Sequence, residues 1–388
     1  MNILFFIGEY PNFGGTERVT TVLANAFTAE GDKVHIVSFK QSKGRDLDVG
    51  LSDKVTVHYL HLPVNCKDND IAFRKILVEN KIDVIFNQWC WPFYTARFIN
   101  KARKGLNIKL LSINHGVPNQ CQLLIVARKR FAESLGLRKI FEALRYFAVS
   151  KVVHWSVRYV YRTTDAYIVL SKGFEQVFKD YTGIGNPYKL TYMYNPMTIK
   201  TDYSQDYFPF KKKQLLYVGR MDKHSKRVDR MVDAWEVLSK KYPDWNFVLV
   251  GDGPHLDELR PEVQRRKIER VEFTGFEDPI EYYKDSQIFI LTSDLEGFGL
   301  VVVEAMSYGV IPVVYGNYSS IFEIIDSGEN GFITSVPYSR TETVAAISRL
   351  IEDRELRRKM SVEAQRKSKV FDLEETVARW KALIGSEK

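Results

Sequence analysis

The stretch Asp294-Leu-Glu-Gly-Phe-Gly-Leu-Val-Val-Val-Glu-Ala-Met-Ser-Tyr-Gly309-Val-Ile-Pro-Val-Val314 decides the reading of this chain. An apolar run, Gln287 to Thr292, leads into it as a strand. Two carboxylates, Glu296 and Glu304, stand with seven residues between them across a glycine-flanked bend. Gly297 and Gly299 let the backbone turn tightly and approach a ligand, and a helix opening at Leu300 points unpaired N–H groups and a positive dipole end at an anion. Leu300-Val-Val-Val303 favours strand by propensity. Parallel strands need a crossover between them, however, so a helix over Leu300 to Tyr308 is the expectation. Glu304 then lies just over a turn inside that helix, within reach of a ribose diol beside a bound phosphate. Glu296 stays on the loop, facing whatever a diphosphate carries. Such a layout suits a sugar nucleotide.

The stretch and its flanks resemble the family 4 retaining glycosyltransferases, whose signature is E-x7-E followed by a small-residue helix and a G-V-P-V-V-like strand. Here the strand reads Gly309-Val-Ile-Pro-Val-Val314, with one extra residue. The resemblance implies an α/β fold of two Rossmann-like doubly wound domains facing across a cleft (GT-B), with a C-terminal helix crossing back to the first domain. It also implies a nucleoside diphosphate sugar as donor, UDP-linked by default, with no metal and no other cofactor. On that resemblance Gly297, Phe298, Gly299, Leu300 and Glu304 bind the donor and Glu296 is catalytic.

With 388 residues the chain is long enough for two domains, each able to bury its own core. Hydrophobic content of 45% and charged content of 27% describe an ordinary soluble globular protein. Cys66, Cys90 and Cys121 are widely spaced and support neither a disulfide framework nor a zinc site, which fits a reducing cytoplasm. The apolar start, Met1 to Ile7, runs into Glu9 and reads as a first strand rather than a signal segment.

From that strand the chain passes through Gly14-Gly15-Thr16-Glu17 into a helix reaching about Thr28, then a second strand, Lys33 to Phe39. The unit lacks the G-x-G-x-x-G spacing of a dinucleotide site, which disfavours a dehydrogenase. In the resembled family the G-G-x-E-R pattern lies under the donor diphosphate and beside the acceptor, a role Gly14 and Gly15 inherit. Strand-like runs recur at Lys54 to Leu60, Ile82 to Asn87 and Ile108 to Ile113, separated by helix-length stretches at Ile71 to Asn80 and Phe93 to Lys104. Such alternation argues for a parallel sheet. The fifth strand ends in Asn114-His115-Gly116, where ligands bind in such sheets. The family carries a histidine at this strand end, so His115 is a candidate hydrogen-bond donor to the sugar or the departing phosphate. Asp68-Asn69-Asp70 precedes a helix rather than following a strand and reads as a capping cluster, not a metal site.

Net charge is +8, and between Gln122 and Arg162 nine Lys and Arg residues stand against two glutamates, Glu133 and Glu142. The cations alternate with apolar residues, and spacings such as Ile140, Leu144, Phe147 and Lys151 predict helices with one apolar face and one cationic rim. Anionic lipid headgroups or a lipid-linked diphosphate would satisfy both faces, whereas nucleic acid would satisfy only the charge. Packing on its own domain is the other reading of the segment. Trp155, Tyr159 and Tyr161 fit a headgroup boundary, and aromatics also fill cores. Ala166 to Ser171 is expected to close the first sheet.

The turn-rich stretches Thr182 to Pro187 and Tyr194 to Pro196 place the domain boundary near 195, giving domains over 1–195 and 196–372 and a returning helix over 373–388. Beyond it, the strand Gln214 to Val218 ends in Gly219-Arg220, with Lys226 six residues on. In the family this pair grips the diphosphate. The physical need is plain: a leaving diphosphate gains negative charge that fixed cations and helix N-termini can stabilise. Gly251-Asp252-Gly253-Pro254 is architectural, and Phe276 follows the strand end whose backbone, in the family, lies near the base. Ser319 to Ile325 and Gly328 to Ile333 should finish the second sheet, with helices over Glu342 to Glu352, Leu356 to Val370 and Leu373 to Ile384.

The expected activity is transfer of a hexosyl unit from a nucleoside diphosphate sugar to a lipid-linked or glycan hydroxyl in cell-surface polysaccharide or glycolipid synthesis. The enzyme would work at the cytoplasmic face of the membrane, without nucleic acid. The alternatives are a sugar-nucleotide epimerase of the same fold and a non-catalytic, membrane-docked nucleotide-sugar-binding protein.

Overall fold

The computed structural model describes residues 1–12, 14–41 and 50–385. The chain divides into two compact units: residues 1–196 with 373–388, and residues 197–372.

The first unit runs β1 (Asn2–Glu9), α1 (Gly15–Ala29), β2 (Lys33–Lys40), β3 (Thr56–Tyr59), α2 (Lys67–Glu79), β4 (Val84–Asn87), α3 (Phe93–Ala102), β5 (Lys109–Asn114), α4 (Gln122–Glu133), α5 (Gly136–Thr163), β6 (Ala166–Val169), α6 (Gly173–Thr182) and β7 (Leu190–Tyr192). All seven strands are parallel, in the order β3-β2-β1-β4-β5-β6-β7. Strands β1, β2, β4, β5 and β6 are largely buried on both faces because helices cover both, whereas the edge strands β3 and β7 are partly open. One side holds a cluster of phenylalanines in which Phe73 and Phe98 stack at 5.1 Å and Phe6 meets Phe73 edge-on at 5.6 Å.

The second unit runs β8 (Gln214–Val218), α7 (Val228–Lys241), β9 (Asn246–Val250), α8 (Leu256–Arg265), β10 (Val271–Gly275), α9 (Ile280–Asp285), β11 (Ile288–Leu291), α10 (Leu300–Ser307), β12 (Ile311–Tyr315), α11 (Ile321–Ile324), β13 (Phe332–Thr334), α12 (Arg340–Glu352) and α13 (Arg354–Ser368). Its six strands are also parallel, in the order β10-β9-β8-β11-β12-β13. Helix α10 forms against its strand propensity because it is the crossover between β11 and β12. Residues 302–307 are buried throughout, which explains an apolar sequence with no polar face.

The last helix, α14 (Leu373–Gly385), belongs to the first unit. Trp380 packs on Phe86 of β4 at 4.9 Å, and Lys109 donates to the Ile384 carbonyl at 2.6 Å. The Arg379 guanidinium lies over Tyr192 and Tyr194 at 5.5 and 5.3 Å.

Both sheets reverse direction of growth at a first strand, β1 beside β4 and β8 beside β11. Loops leaving the carboxyl ends there diverge, and the gap between them is where such sheets bind ligands.

Four expectations need correction. The first sheet ends with β7, not β6; this three-residue edge strand lies in turn-rich sequence that hid it. Ser319 to Ile325 is not a strand: Ile321 and Ile324, three apart, are both buried, and the segment makes one helical turn. The Asp68-Asn69-Asp70 cluster does not cap α2, whose N-cap is Cys66. Asn69 instead gathers the preceding loop, donating to the carbonyls of His61, Pro63 and Val64, while Asp70 pairs with Lys101 at 2.5 Å. Tyr161 does not face a headgroup boundary; it is 5% exposed and packs on Phe178.

Candidate active site

In the second unit the loop after β8 is built on backbone contact. Gly219 N donates to the Val250 carbonyl at 3.0 Å and Met221 N to the Asp252 carbonyl at 2.9 Å. A Cβ on Gly251 would stand 2.0 Å from the Gly219 oxygen, so Gly251-Asp252-Gly253 is needed for this approach. Asp222 then folds the next turn by accepting from His224 N at 3.0 Å and from Ser225 N and Oγ, both at 2.7 Å. Burial alone would raise its pKa, but the hydrogen bonds from Ser225 and His224 and the Arg220 charge outweigh it and bring the carboxyl down to about 2.

That turn delivers two cations. Arg220 is exposed, with its guanidinium 3.2 Å from Asp222. Lys226 points inward and pairs with Glu296 Oε1, which also accepts from Ser293 Oγ at 3.0 Å. The loops after β8 and β11 are laced together elsewhere too. Asp294 N donates to the Ser225 carbonyl at 2.8 Å, and the Asp294 carboxylate takes Arg227 at 3.1 Å and Arg230 at 2.6 Å. Sequence reasoning missed Ser293, Arg227 and Arg230. For the two arginines the signal lies in the cationic run Lys223 to Arg230, of which only Lys226 is named above.

Helix α10 opens at Gly299, whose φ of +96° suits glycine, and no side chain caps it. Its first N–H groups have no partner within the helix. Leu300 is its first residue, and Gly297 precedes it in the bend. The Phe298 ring is 3% exposed and meets Phe371 edge-on at 5.5 Å, so the bend offers its backbone rather than its ring to a donor. Glu304 is not on an open wall. It is 1% exposed because α10 is buried all round, and its carboxylate accepts from Tyr283 OH at 3.0 Å and from Thr198 Oγ1. Phe276, after the carboxyl end of β10, is 49% exposed.

In the first unit, Gly14 is the N-cap of α1 and Gly15 its first residue. Glu17 folds back over this N-terminus; a Cβ on Gly14 would lie 2.1 Å from Glu17 Oε2. Burial raises the pKa of that carboxyl. His115 follows the carboxyl end of β5, half-buried, and burial pushes its pKa down to about 4. Its Nε2 meets Oε1 of Gln88, an amide oxygen that can only accept, so Nε2 carries the proton in this arrangement and Nδ1 is left an acceptor. Gln88, at the end of β4, was not anticipated. The structure thus joins Lys226 to Glu296 just ahead of the α10 N-cap, leaves Arg220 exposed on the loop after β8 and Glu304 buried inside α10, and puts Gly14, Gly15 and His115 beyond carboxyl strand ends of the first unit.

Helices α4 and α5 cover residues 122–163 of the first unit. Phe131 and Tyr146 stack between them at 6.2 Å. Beyond that contact Leu137, Ile140, Phe141, Leu144 and Phe147 form one exposed stripe, Leu137 at 87% and Phe147 at 61%. Trp155 and Tyr159 pack on Phe93 of α3. No helix among the described residues is long and apolar enough to cross a membrane.

Residues 200–367 match the family described as Glycosyl transferases group 1, and residues 13–199 match Glycosyltransferase Family 4. An uncharacterized glycosyltransferase of Haemophilus influenzae is 26% identical over 98% of this chain and 99% of its own. The GalNAc-alpha-(1->4)-GalNAc-alpha-(1->3)-diNAcBac-PP-undecaprenol alpha-1,4-N-acetyl-D-galactosaminyltransferase of Campylobacter jejuni is 23% identical over 100% of this chain and 99% of its own. Among solved structures, Anabaena HepE in complex with UDP superposes with a TM-score of 0.76 at 19% identity, covering 100% of both chains.

Proposed function

This chain belongs to the family 4 glycosyltransferases of GT-B fold, and from that premise we propose that it transfers a hexosyl unit from a UDP-sugar to a lipid-linked or glycan acceptor, with retention of configuration and without a metal. The observation that carries the reading is the convergence of Lys226, Glu296 and the uncapped N-terminus of α10 at the switch point of the second sheet. The Campylobacter relative is named for an undecaprenol diphosphate-linked glycan and the Anabaena structure holds UDP, which favours these two substrate classes.

In this mechanism the C1–O bond to the distal phosphate breaks while the acceptor oxygen attacks C1 from the same face. The departing phosphate takes the acceptor proton. Charge growing on the diphosphate is compensated by Arg220, Lys226 and the N–H groups of Gly299 and Leu300. Glu296 orients the sugar. Glu304 holds the ribose by exchanging the Thr198 hydroxyl for a ribose hydroxyl, a like-for-like replacement at the same carboxylate. Gly14 and Gly15 at the α1 N-terminus, and His115, neutral at physiological pH, are the first unit's candidate contacts with donor and acceptor. The backbone beside Phe276 meets the base.

The exposed stripe of α5, with Arg128, Lys129, Arg130, Arg138 and Lys139 nearby in sequence, docks the enzyme on an anionic membrane at the cytoplasmic face. The test is release of nucleoside diphosphate from a panel of UDP-, GDP- and ADP-sugars in EDTA. Turnover of a UDP-sugar supports the proposal; strict dependence on added Mg²⁺ or Mn²⁺ contradicts its cation assignment.

A further inference from the structure

Tyr318 lies beyond β12, in the segment that wraps the bend of residues 294–299. Its neighbours are committed to carbonyls of that bend: Asn317 Nδ2 donates to Asp294 O at 2.8 Å and Ser320 Oγ to Phe298 O at 3.1 Å. The Tyr318 hydroxyl is not. Tyr318 is 5% exposed, and its oxygen is buried with no hydrogen-bond partner among the described residues. It lies against the N-cap of α10, where a Cβ on Gly299 would stand 3.0 Å from it. Buried hydroxyls are almost always partnered, and an exception beside a binding element calls for a functional account. Burial and the nearby Glu296 carboxylate hold this phenol well above its ordinary pKa, so the oxygen keeps its proton and offers a donor. An anionic oxygen at the first turn of α10 would meet that donor, the helix N–H groups and the helix dipole together.

We propose that Tyr318 is a donor-binding residue whose O–H donates to a phosphate oxygen of the nucleoside diphosphate at the α10 N-terminus. The proposal rests on the glycosyl-donor reading above and adds to it a contact from outside the E-x7-E stretch. Gly297 and Gly299 give the bend freedom to uncover the hydroxyl as the phosphate enters. Gly299 also leaves the space through which hydroxyl and anion meet.

Tyr318→Phe removes one oxygen and keeps the ring. Wild type and variant are titrated calorimetrically with UDP, GDP and ADP, and compared on the nucleotide that wild type binds most tightly. The expected result is an affinity loss of about 10- to 100-fold, the range of a hydrogen bond to a charged group. The ligand-free variant should melt at or above the wild-type temperature, because an unsatisfied buried hydroxyl has gone. Unchanged affinity overturns the proposal. So does a loss confined to turnover, which would assign the hydroxyl to Glu296, and so does a lowered melting temperature, which would give it a structural partner. If wild type binds none of the three nucleotides, the donor reading falls first and Tyr318 with it.

Discussion

Lys226 and Glu296, seventy positions apart, form an ion pair through Lys226 Nζ and Glu296 Oε1, with side chains 23% and 11% exposed. Each neutralises the other where a sugar diphosphate would need both. In the proposed mechanism a bound diphosphate draws on the ammonium's remaining hydrogens while the carboxylate keeps its Ser293 contact.

Removing one member of this pair should therefore cost stability as well as function. Lys226→Met strands a largely buried carboxylate and should lower the urea-derived unfolding free energy of the second unit by about 1–3 kcal/mol, less than a fully buried pair because of its residual exposure. Lys226→Met combined with Glu296→Leu should recover most of that loss while remaining inactive. A double variant no more stable than the single one contradicts the pairing.

Glu304 offers a separate check through the ribose. Wild type should prefer UDP over 2′-deoxy-UDP by about tenfold, the worth of a hydrogen bond to a charged group. Glu304→Gln, close in shape but uncharged, should lose that preference. A wild type that binds both nucleotides equally would leave Glu304 as a structural partner of Tyr283 and Thr198 only.

The acid side of the stability curve tests the environment of His115. Its pKa is about 4 in the folded chain and about 6.5 when unfolded. Between these values the unfolded chain binds more protons, so stability falls as pH drops from about 6.5 to about 4, and this group adds nothing further below that. His115→Gln should flatten the fall by up to about 3 kcal/mol, read from urea unfolding at pH 7 and pH 4. An identical slope in the variant would mean that the ring is not held neutral.

Much of the fold was legible because parallel sheets covered on both faces write themselves as apolar runs separated by helix-length stretches. Helix α10 was legible only by topology, since Leu300-Val-Val-Val303 argues locally for a strand. What escaped was whatever depends on neighbours distant in sequence. The Leu190–Tyr192 strand is defined by its partner β6, and the turn at Ile321–Ile324 by burial on one side. Glu304 sits in a helix with no polar face, so its closure by Thr198 and Tyr283 could not be read from spacing. The inward turn of Phe298 depends on Phe371, more than seventy residues away.

Vesicle binding tests the α4–α5 surface. Replacing Arg128, Lys129 and Arg130 by glutamate should cut partitioning onto anionic vesicles by more than about 100-fold, at about 1 kcal/mol for each basic residue near the surface. Phe141→Asp with Leu144→Asp, which leaves those cations intact, should weaken it as well. Unchanged co-sedimentation of both variants would leave the stripe without a lipid partner.

In the proposed mechanism Glu296 acts on the sugar while the cations and the α10 N-terminus hold the diphosphate. UDP release and UDP affinity measured side by side, in EDTA, for wild type and Glu296→Gln separate these two roles. Release should fall by about 100-fold or more while affinity for UDP changes by less than about threefold. Equal losses in both, or undiminished release, would contradict that mechanism.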